Sequence, residues 1–311
     1  MKPQATILIP THSHGPTLVR AVNSVLAQTV RDLEVFVIGD GVPDITREIM
    51  TDFQRRDERV RFFDHPKGPR TGEIYRHAAL AEARGEIVCY LGDDDLYFPD
   101  HVETMRQALR DADFANALYV CIAPGDATFA YTMDLSLRAD RNMAAHGYKG
   151  FSLSCGAHTL DMYRRLPHGW RTTPKGIATD MFMWKQFFAD PDCRVWSGTR
   201  PTVLHFPSRL RAGWTADQRC AELDRWNAKL ADAAQRERFV SEIIDGVLRS
   251  QALQIACYEQ FTIYPLRRIA RYIRPVPILG DAFISVARAA KRRLVRAADG
   301  APRHAPKRSR T

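Results

Sequence analysis

Residues 86–99 read EIVCYLGDDDLYFP. The stretch Glu86–Leu91 reads as a short apolar strand, with the length of one buried on both faces and too short for a helix. Gly92 ends it, and Asp93, Asp94 and Asp95 follow at once. Pro99 then opens a helix expected over Pro99–Arg110, where a missing N–H does little harm. Three carboxylates held this close repel one another unless a cation or strong donors compensate. Oxygen ligands at the open end of a sheet suit Mg²⁺ or Mn²⁺, hard ions that also bind substrate phosphates. Read alone, the triplet is equally a solvated turn capping the next helix.

Upstream, Ala5–Pro10 and Leu33–Ile38 read as strands, and Val60–Phe63 as a shorter one. Between them lie helical patterns: Leu18, Val22, Val25 and Leu26, then Asp44–Arg56, then Gly72–Arg84. Strands alternating with helices of this length specify an α/β fold with a mostly parallel central sheet flanked by helices. Ligands of such sheets sit beyond the carboxyl ends of the strands. Thr11 and His12 lie there after the first strand, Asp40 after the second, and the acidic triplet after Leu91. Asp40 stands between two glycines, where it is either an ordinary turn residue or an acceptor for a base or ribose. No GxxxxGK[ST] loop and no GxGxxG fingerprint occurs, so P-loop and dinucleotide-binding readings lack their phosphate cradle.

Downstream, Phe114–Ile122 and Thr128–Met133 look extended, with a hairpin across Pro124-Gly125-Asp126. Ala139–Tyr148 reads as loop, Phe151–His158 as strand, Thr159–Arg165 as a short helix and His168–Gly176 as irregular. Asp180 opens an aromatic-rich helix, Thr179–Phe188. An acid there favours the helix dipole, or serves as a general base over an apolar floor. His205 closes a strand, Thr202–Phe206, as a structural histidine or a metal ligand. Helices over Asp217–Ala234 and Phe239–Ala256 follow.

The chain has 311 residues and a formal charge of +9. Residues 264–311 hold 13 basic and 2 acidic side chains, leaving 32 basic and 34 acidic in residues 1–263. The body is therefore near neutral, which argues against a nucleic-acid groove. At 45% hydrophobic residues, disorder and collagen-like repeats are excluded. Six cysteines stand far apart with no CxxC pair, so structural zinc and a disulfide framework are not expected, and a cytoplasmic protein with reduced thiols is. The N-terminal apolar run is too brief for a signal peptide and fits a first strand.

With these residues in view, the chain resembles the GT-A-fold glycosyltransferases of family 2 over roughly residues 3–206. TILIPTHSHGPTLVRAVNSVLAQTVRDLEVFVIGDG resembles that family's opening strand–helix–strand, ARGEIVCYLGDDDLYFPDHV its acidic metal-binding segment, and ATDMFMWKQF the segment carrying its catalytic base. The resemblance implies a GT-A fold with a helical C-terminal extension, and transfer of a sugar from a nucleotide diphosphate, most often a UDP-sugar, to an acceptor hydroxyl with inversion. It implies Thr11 at the nucleotide, Asp40 at the base, Asp93 near the ribose or metal, and Arg70 or Arg76 as a basic contact. It further implies Asp94 as ligand of Mn²⁺ or Mg²⁺, with Asp95 and His205 beside it at the metal, and Asp180 as general base. Gly39 and Gly92 stand where the family usually has a leading acid, which bears on donor identity. The rivals are a non-catalytic nucleotide-sugar-binding or assembly protein, and a nucleotidyltransferase, whose lysine-rich phosphate loop is missing at His12–Thr17.

The expected organisation is a catalytic domain at 1–215 (nucleotide-binding half 1–100, acceptor-binding half 101–215), a helical extension at 216–263, and a basic amphipathic tail at 264–311 ending in disorder. Phe283, Val286, Ala287, Ala290, Leu294 and Ala297 form an apolar stripe opposite Arg288, Lys291, Arg292 and Arg296. Such a tail suits an anionic membrane surface on the cytoplasmic face, or packs on the body or on a second subunit of a homodimer. The expected acceptor is a saccharide, a lipid-linked glycan or a small molecule.

Overall fold

The computed structural model describes residues 2–146 and 150–263; the basic tail lies outside them. The first half alternates β1 (Ala5–Thr11), α1 (Gly15–Leu26), β2 (Leu33–Asp40), α2 (Asp44–Arg56), β3 (Val60–His65), α3 (Glu73–Ala81) and β4 (Ile87–Tyr90). Next come β5 (Leu96–Tyr97), α4 (His101–Ala108), β6 (Phe114–Asn116), β7 (Tyr119–Ile122), β8 (Thr128–Tyr131), α5 (Arg138–Ala145), β9 (Gly156–Thr159) and α6 (Leu160–Arg165). The described chain closes with α7 (Thr179–Ala189), β10 (Val195–Ser197), β11 (Val203–Leu204), α8 (Ala216–Ala231) and α9 (Ala233–Tyr258).

Seven strands form one sheet in the order β10-β6-β9-β4-β1-β2-β3. All neighbours run parallel except β9, which lies antiparallel between β4 and β6. The register sets Ala5 opposite Leu33 on one side and Ile87 on the other. Every residue of β2 and β4 is buried, as expected of central strands covered on both faces; β4 is wholly apolar, and the one acid within the apolar part of β2, Glu34, is satisfied by Thr6, Arg84 N and Gly85 N. β1, β2 and β4 therefore all end at one edge, and that edge receives Thr11, Asp40 and the acidic triplet.

Two small antiparallel pairs, β5–β11 and β7–β8, stand beside this sheet. They nucleate a second core: Leu96, Phe98, Val120, Phe206, Trp226 and Phe239 are all buried in it. Its members come from both sides of residue 215, so α8 and the first turns of α9 share one apolar interior with side chains from residues 96–206. The expected loop at Ala139–Tyr148 is instead helical over α5. Its eight residues bury only Ala144, so no apolar stripe exists in the sequence to announce it. The break between the last two helices falls at Asp232, whose side chain accepts from Gln235 N and caps α9; apolar spacing had carried the preceding helix to Ala234.

Candidate active site

Gln28 fixes the edge on which the site is built. Its buried amide donates to Phe98 O at 2.7 Å and accepts from Val102 N at 2.9 Å, so it joins the end of α1 to both flanks of the segment leading into α4. Thr29 N adds a bond to Pro99 O. The acidic loop is thus clamped from behind, and its three carboxylates diverge.

Asp93 accepts from Thr11 Oγ1 at 2.7 Å and meets His14 Nδ1 at 3.0 Å. Asp94 accepts from Ser208 Oγ at 2.6 Å and from the guanidinium of Arg219 on α8. Asp95 turns inward. It accepts from Ser154 Oγ, from Phe206 N at 2.8 Å and from His205 Nδ1 at 3.1 Å. Burial, with Asp95 and Asp93 adding repulsion, pushes the Asp94 carboxyl up to about 6. Burial acts on Asp95 too, but the His205 charge and hydrogen bond outweigh it and hold that carboxyl below its ordinary range.

Among the described residues, His14, Asp93 and Asp94 offer ligand atoms that all lie within 4.8 Å of one another. One imidazole nitrogen with carboxylate oxygens is a donor set that Mn²⁺ accepts readily and Mg²⁺ less so. The side chains present therefore fit a divalent ion. Asp94 was expected in that group. His14 was not, although it sits in the polar run after β1. Asp95 and His205, expected at the metal, pair with each other and are not part of that group.

A cleft of 260 Å³ extends from Asp93 along the ends of β1 and β2, lined by Thr11, His14, Asp40, Lys67, Arg70 and Arg76 among others. Asp40 accepts from Lys67 Nζ at 2.7 Å and from Gly68 N at 2.6 Å. Lys67 was overlooked in the sequence because a basic residue in a Pro/Gly loop is ordinarily solvated. Gly72, at φ 69°, lies so close behind Asp40 that a Cβ there would sit 2.8 Å from the carboxylate carbon. Arg76 is buried, its guanidinium 4.8 Å above the Trp170 ring. Its Nη2 donates to Thr71 O at 2.8 Å, but Nε and Nη1 have no partner. A buried guanidinium with unused donors invites an anion. Desolvation lowers its pKa, against the opposing charges of Asp180 and Glu73.

Glu73 explains how Asp180 reaches this region. Its carboxylate accepts from Thr71 N and Thr173 N, each at 3.1 Å, and so pins the loop before α7 to the start of α3. Asp180, in the first turn of α7, is half-buried. Burial raises its pKa, opposed by Arg76, by a Leu153 backbone hydrogen bond and by His205. It lines a second cleft, of 520 Å³, together with Tyr119, Tyr131, His205, Ser208 and Arg209. Ser208 links the two halves, since it faces this cleft and bonds Asp94. The structure thus gathers Thr11, Asp40, Arg70, Arg76 and Asp93 around one cleft and Asp180 and His205 around the next. Ser208 and Arg219 carried no local signal, because they arrive from beyond the last recognisable motif.

A mostly parallel α/β sheet with an acidic loop at its carboxyl edge and clefts on both sides defines a nucleotide-sugar-transferase type of architecture, the GT-A fold. The sequence profile of the glycosyl transferase family 2 matches residues 6–169, and the chain belongs to that family. It is 31% identical over 147 residues to the chondroitin synthase of Pasteurella multocida, covering 47% of this chain and 14% of that protein. It is 27% identical over 123 residues to the GalNAc(5)-diNAcBac-PP-undecaprenol beta-1,3-glucosyltransferase of Campylobacter jejuni, covering 39% and 38%. The chain thus spans well under half the length of these curated relatives. The S. aureus TarS 1–349 structure in complex with UDP-GlcNAc superposes with a TM-score of 0.52 at 14% identity, over 90% of this chain and 83% of that one. No helix of the described residues is long and apolar enough to cross a membrane.

Proposed function

We propose that the protein is a metal-dependent, inverting glycosyltransferase that moves a sugar from a UDP-sugar to an acceptor hydroxyl. The observation that carries this reading is that the His14–Asp93–Asp94 group, whose ligand atoms could hold a cation, borders one cleft through His14 and Asp93, while Asp180, a carboxylate whose pKa burial raises, lines the other. His14, Asp93 and Asp94 would hold Mn²⁺ or Mg²⁺, which when bound offsets charge on a leaving diphosphate. Thr11, Asp40 and Arg70 would line the nucleoside, and Arg76 would turn its unused N–H groups to a phosphate oxygen. Asp95 and His205 would keep the loop's geometry by satisfying each other.

Asp180 would accept the proton of the acceptor hydroxyl as that oxygen attacks the anomeric carbon. The sugar–phosphate bond breaks on the opposite face, so one displacement inverts the carbon. A base tuned upward by burial takes that proton more effectively than an ordinary carboxylate. TarS, bound to UDP-GlcNAc, supports a UDP-sugar donor. The Campylobacter relative, named for a PP-undecaprenol-linked acceptor, supports a lipid-linked glycan as acceptor. The test is a panel of UDP-, GDP- and dTDP-sugars with Mn²⁺ or Mg²⁺, read as nucleoside diphosphate release. Release from one donor, lost in Asp94→Asn and Asp180→Asn, is the expected result. No release from any donor with any acceptor would leave a binding protein only.

A further inference from the structure

Arg219 occupies the carboxylate oxygen that a cation would need. Its Nη2 bonds Asp94 Oδ2 and lies 3.1 Å from Ser208 Oγ, which donates to that same oxygen. Both charged side chains are largely shielded, at 13% and 12% exposure. The guanidinium is delivered by a rigid element. A reciprocal cap between Thr215 and Gln218 fixes the first turn of α8, and Arg20 on α1 bonds both oxygens of Asp224 one turn further on, at 2.9 and 2.7 Å.

A divalent ion bound to Asp94 through Oδ2 would lie within about 2.0–2.6 Å of that atom, where a guanidinium bonded to the same oxygen would meet it as a like charge. The two cations exclude each other. We propose that Arg219 is a placeholder cation: it neutralises Asp94 while the donor site is empty, yields the oxygen when the divalent ion enters, and then pairs its freed guanidinium with the donor's diphosphate. This inference rests on the metal-dependent reading given above. The diphosphate is the anion that arrives with the ion, and the planar fork of arginine suits phosphate oxygens. In this arrangement α8, beyond the family-matched segment, takes part in loading the site.

The experiment measures Mn²⁺ binding to the full chain from the free-ion paramagnetic resonance signal, then UDP binding at saturating Mn²⁺ by calorimetry. In Arg219→Gln, Mn²⁺ alone should bind about fivefold tighter, the effect of removing a shielded competing charge. UDP should then bind about fivefold weaker or worse, for want of the phosphate contact. Arg219→Lys should keep Mn²⁺ affinity within about twofold of the parent, since a cation is restored, while UDP binds weaker than in the parent, since an ammonium lacks the guanidinium fork. Arg219→Met keeps the aliphatic stem and gives the same comparison if the glutamine variant is unstable. General damage would weaken both affinities, and a bystander would change neither; either pattern overturns the proposal. Asp94→Asn separates the two levels. Mn²⁺ binding undiminished there defeats the metal site itself, whereas binding lost there but unchanged in Arg219→Gln defeats only the placeholder role.

Discussion

Thr11 Oγ1 donates to Asp93 Oδ2 at 2.7 Å, joining the ends of β1 and β4 across 82 positions of sequence. The bond leaves Asp93 Oδ1 facing His14 at 3.0 Å. One carboxylate therefore has a fixed inner oxygen and an outer one turned toward the proposed ion. Replacing Thr11 by Val should loosen that orientation and weaken Mn²⁺ binding by about tenfold, the usual scale for losing a supporting hydrogen bond behind a ligand. Titration of the variant against the parent checks it.

His14 should decide which ion is preferred. An imidazole ligand favours Mn²⁺ over Mg²⁺, which takes oxygen and keeps its waters. His14→Asn is expected to lose at least about tenfold in Mn²⁺ affinity while Mg²⁺ affinity changes little. Equal losses for both ions would remove the imidazole from the coordination sphere.

For Asp180→Asn the expected outcome is transfer reduced by about 10²–10⁴-fold with UDP affinity nearly unchanged, the signature of a lost general base. The carboxylate lines the second cleft and is not among the residues lining the first, where the nucleotide is proposed to bind. Wild-type transfer rates in this variant would sink the assignment.

Arg76 sets stability against binding. A buried guanidinium with Nε and Nη1 unpartnered is costly in the free protein. Arg76→Met should hold or raise the unfolding free energy, by up to about 1 kcal/mol, while nucleotide affinity falls at least about tenfold. Chemical denaturation and UDP calorimetry on the same sample read both quantities. A strongly destabilised variant with intact UDP binding would make Arg76 a structural residue.

Two buried histidines that line neither cleft should make the fold acid-sensitive. His101 and His158 are wholly buried, and burial pushes each pKa down from 6.5 to about 3. His158 accepts from Tyr90 Oη at 2.7 Å, and Tyr90 in turn accepts from Trp170 Nε1 at 3.1 Å, a chain that suits the neutral ring. Below pH 6.5 the unfolded chain takes up these protons and the folded one does not until about pH 3. Their contribution is therefore complete above 6.5 and is lost as pH falls, by about 1.4 kcal/mol per unit for each histidine. Urea midpoints between pH 7 and 4.5 should fall steeply, and His158→Gln should flatten the slope by about half.

Most of the sheet was legible because burial on two faces writes itself as unbroken apolar runs. α2 was read to the residue, and β1, β2 and β4 to within a few positions. α5 escaped, since a helix that buries one alanine has no stripe to read. Asp40, Asp94 and Asp180 were legible as carboxylates at the ends of elements. Which carboxylate faces which partner was not. Asp95 turns inward because Ser154, His205 and the Phe206 amide, between 59 and 111 positions later, happen to meet it there. Arg219 lay outside every motif, and the packing of α8, on α1 through Arg20 and Asp224 and in the second core through Leu223 and Trp226, brings it to Asp94.

The second core has a practical consequence for anyone cutting this gene. The family-matched segment stops at residue 169, yet Leu96, Phe98 and Val120 within it are covered by Phe206, Trp226 and Phe239. A fragment trimmed to the match, or even to residue 215, would expose a greasy wall beside the acidic loop and would shed Arg219 with it. Such a product should collect in inclusion bodies, and swapping modules between relatives at that seam would carry half of a hydrophobic interior into a stranger's protein. The working boundary lies beyond Ile244, the last described side chain packed on that interior.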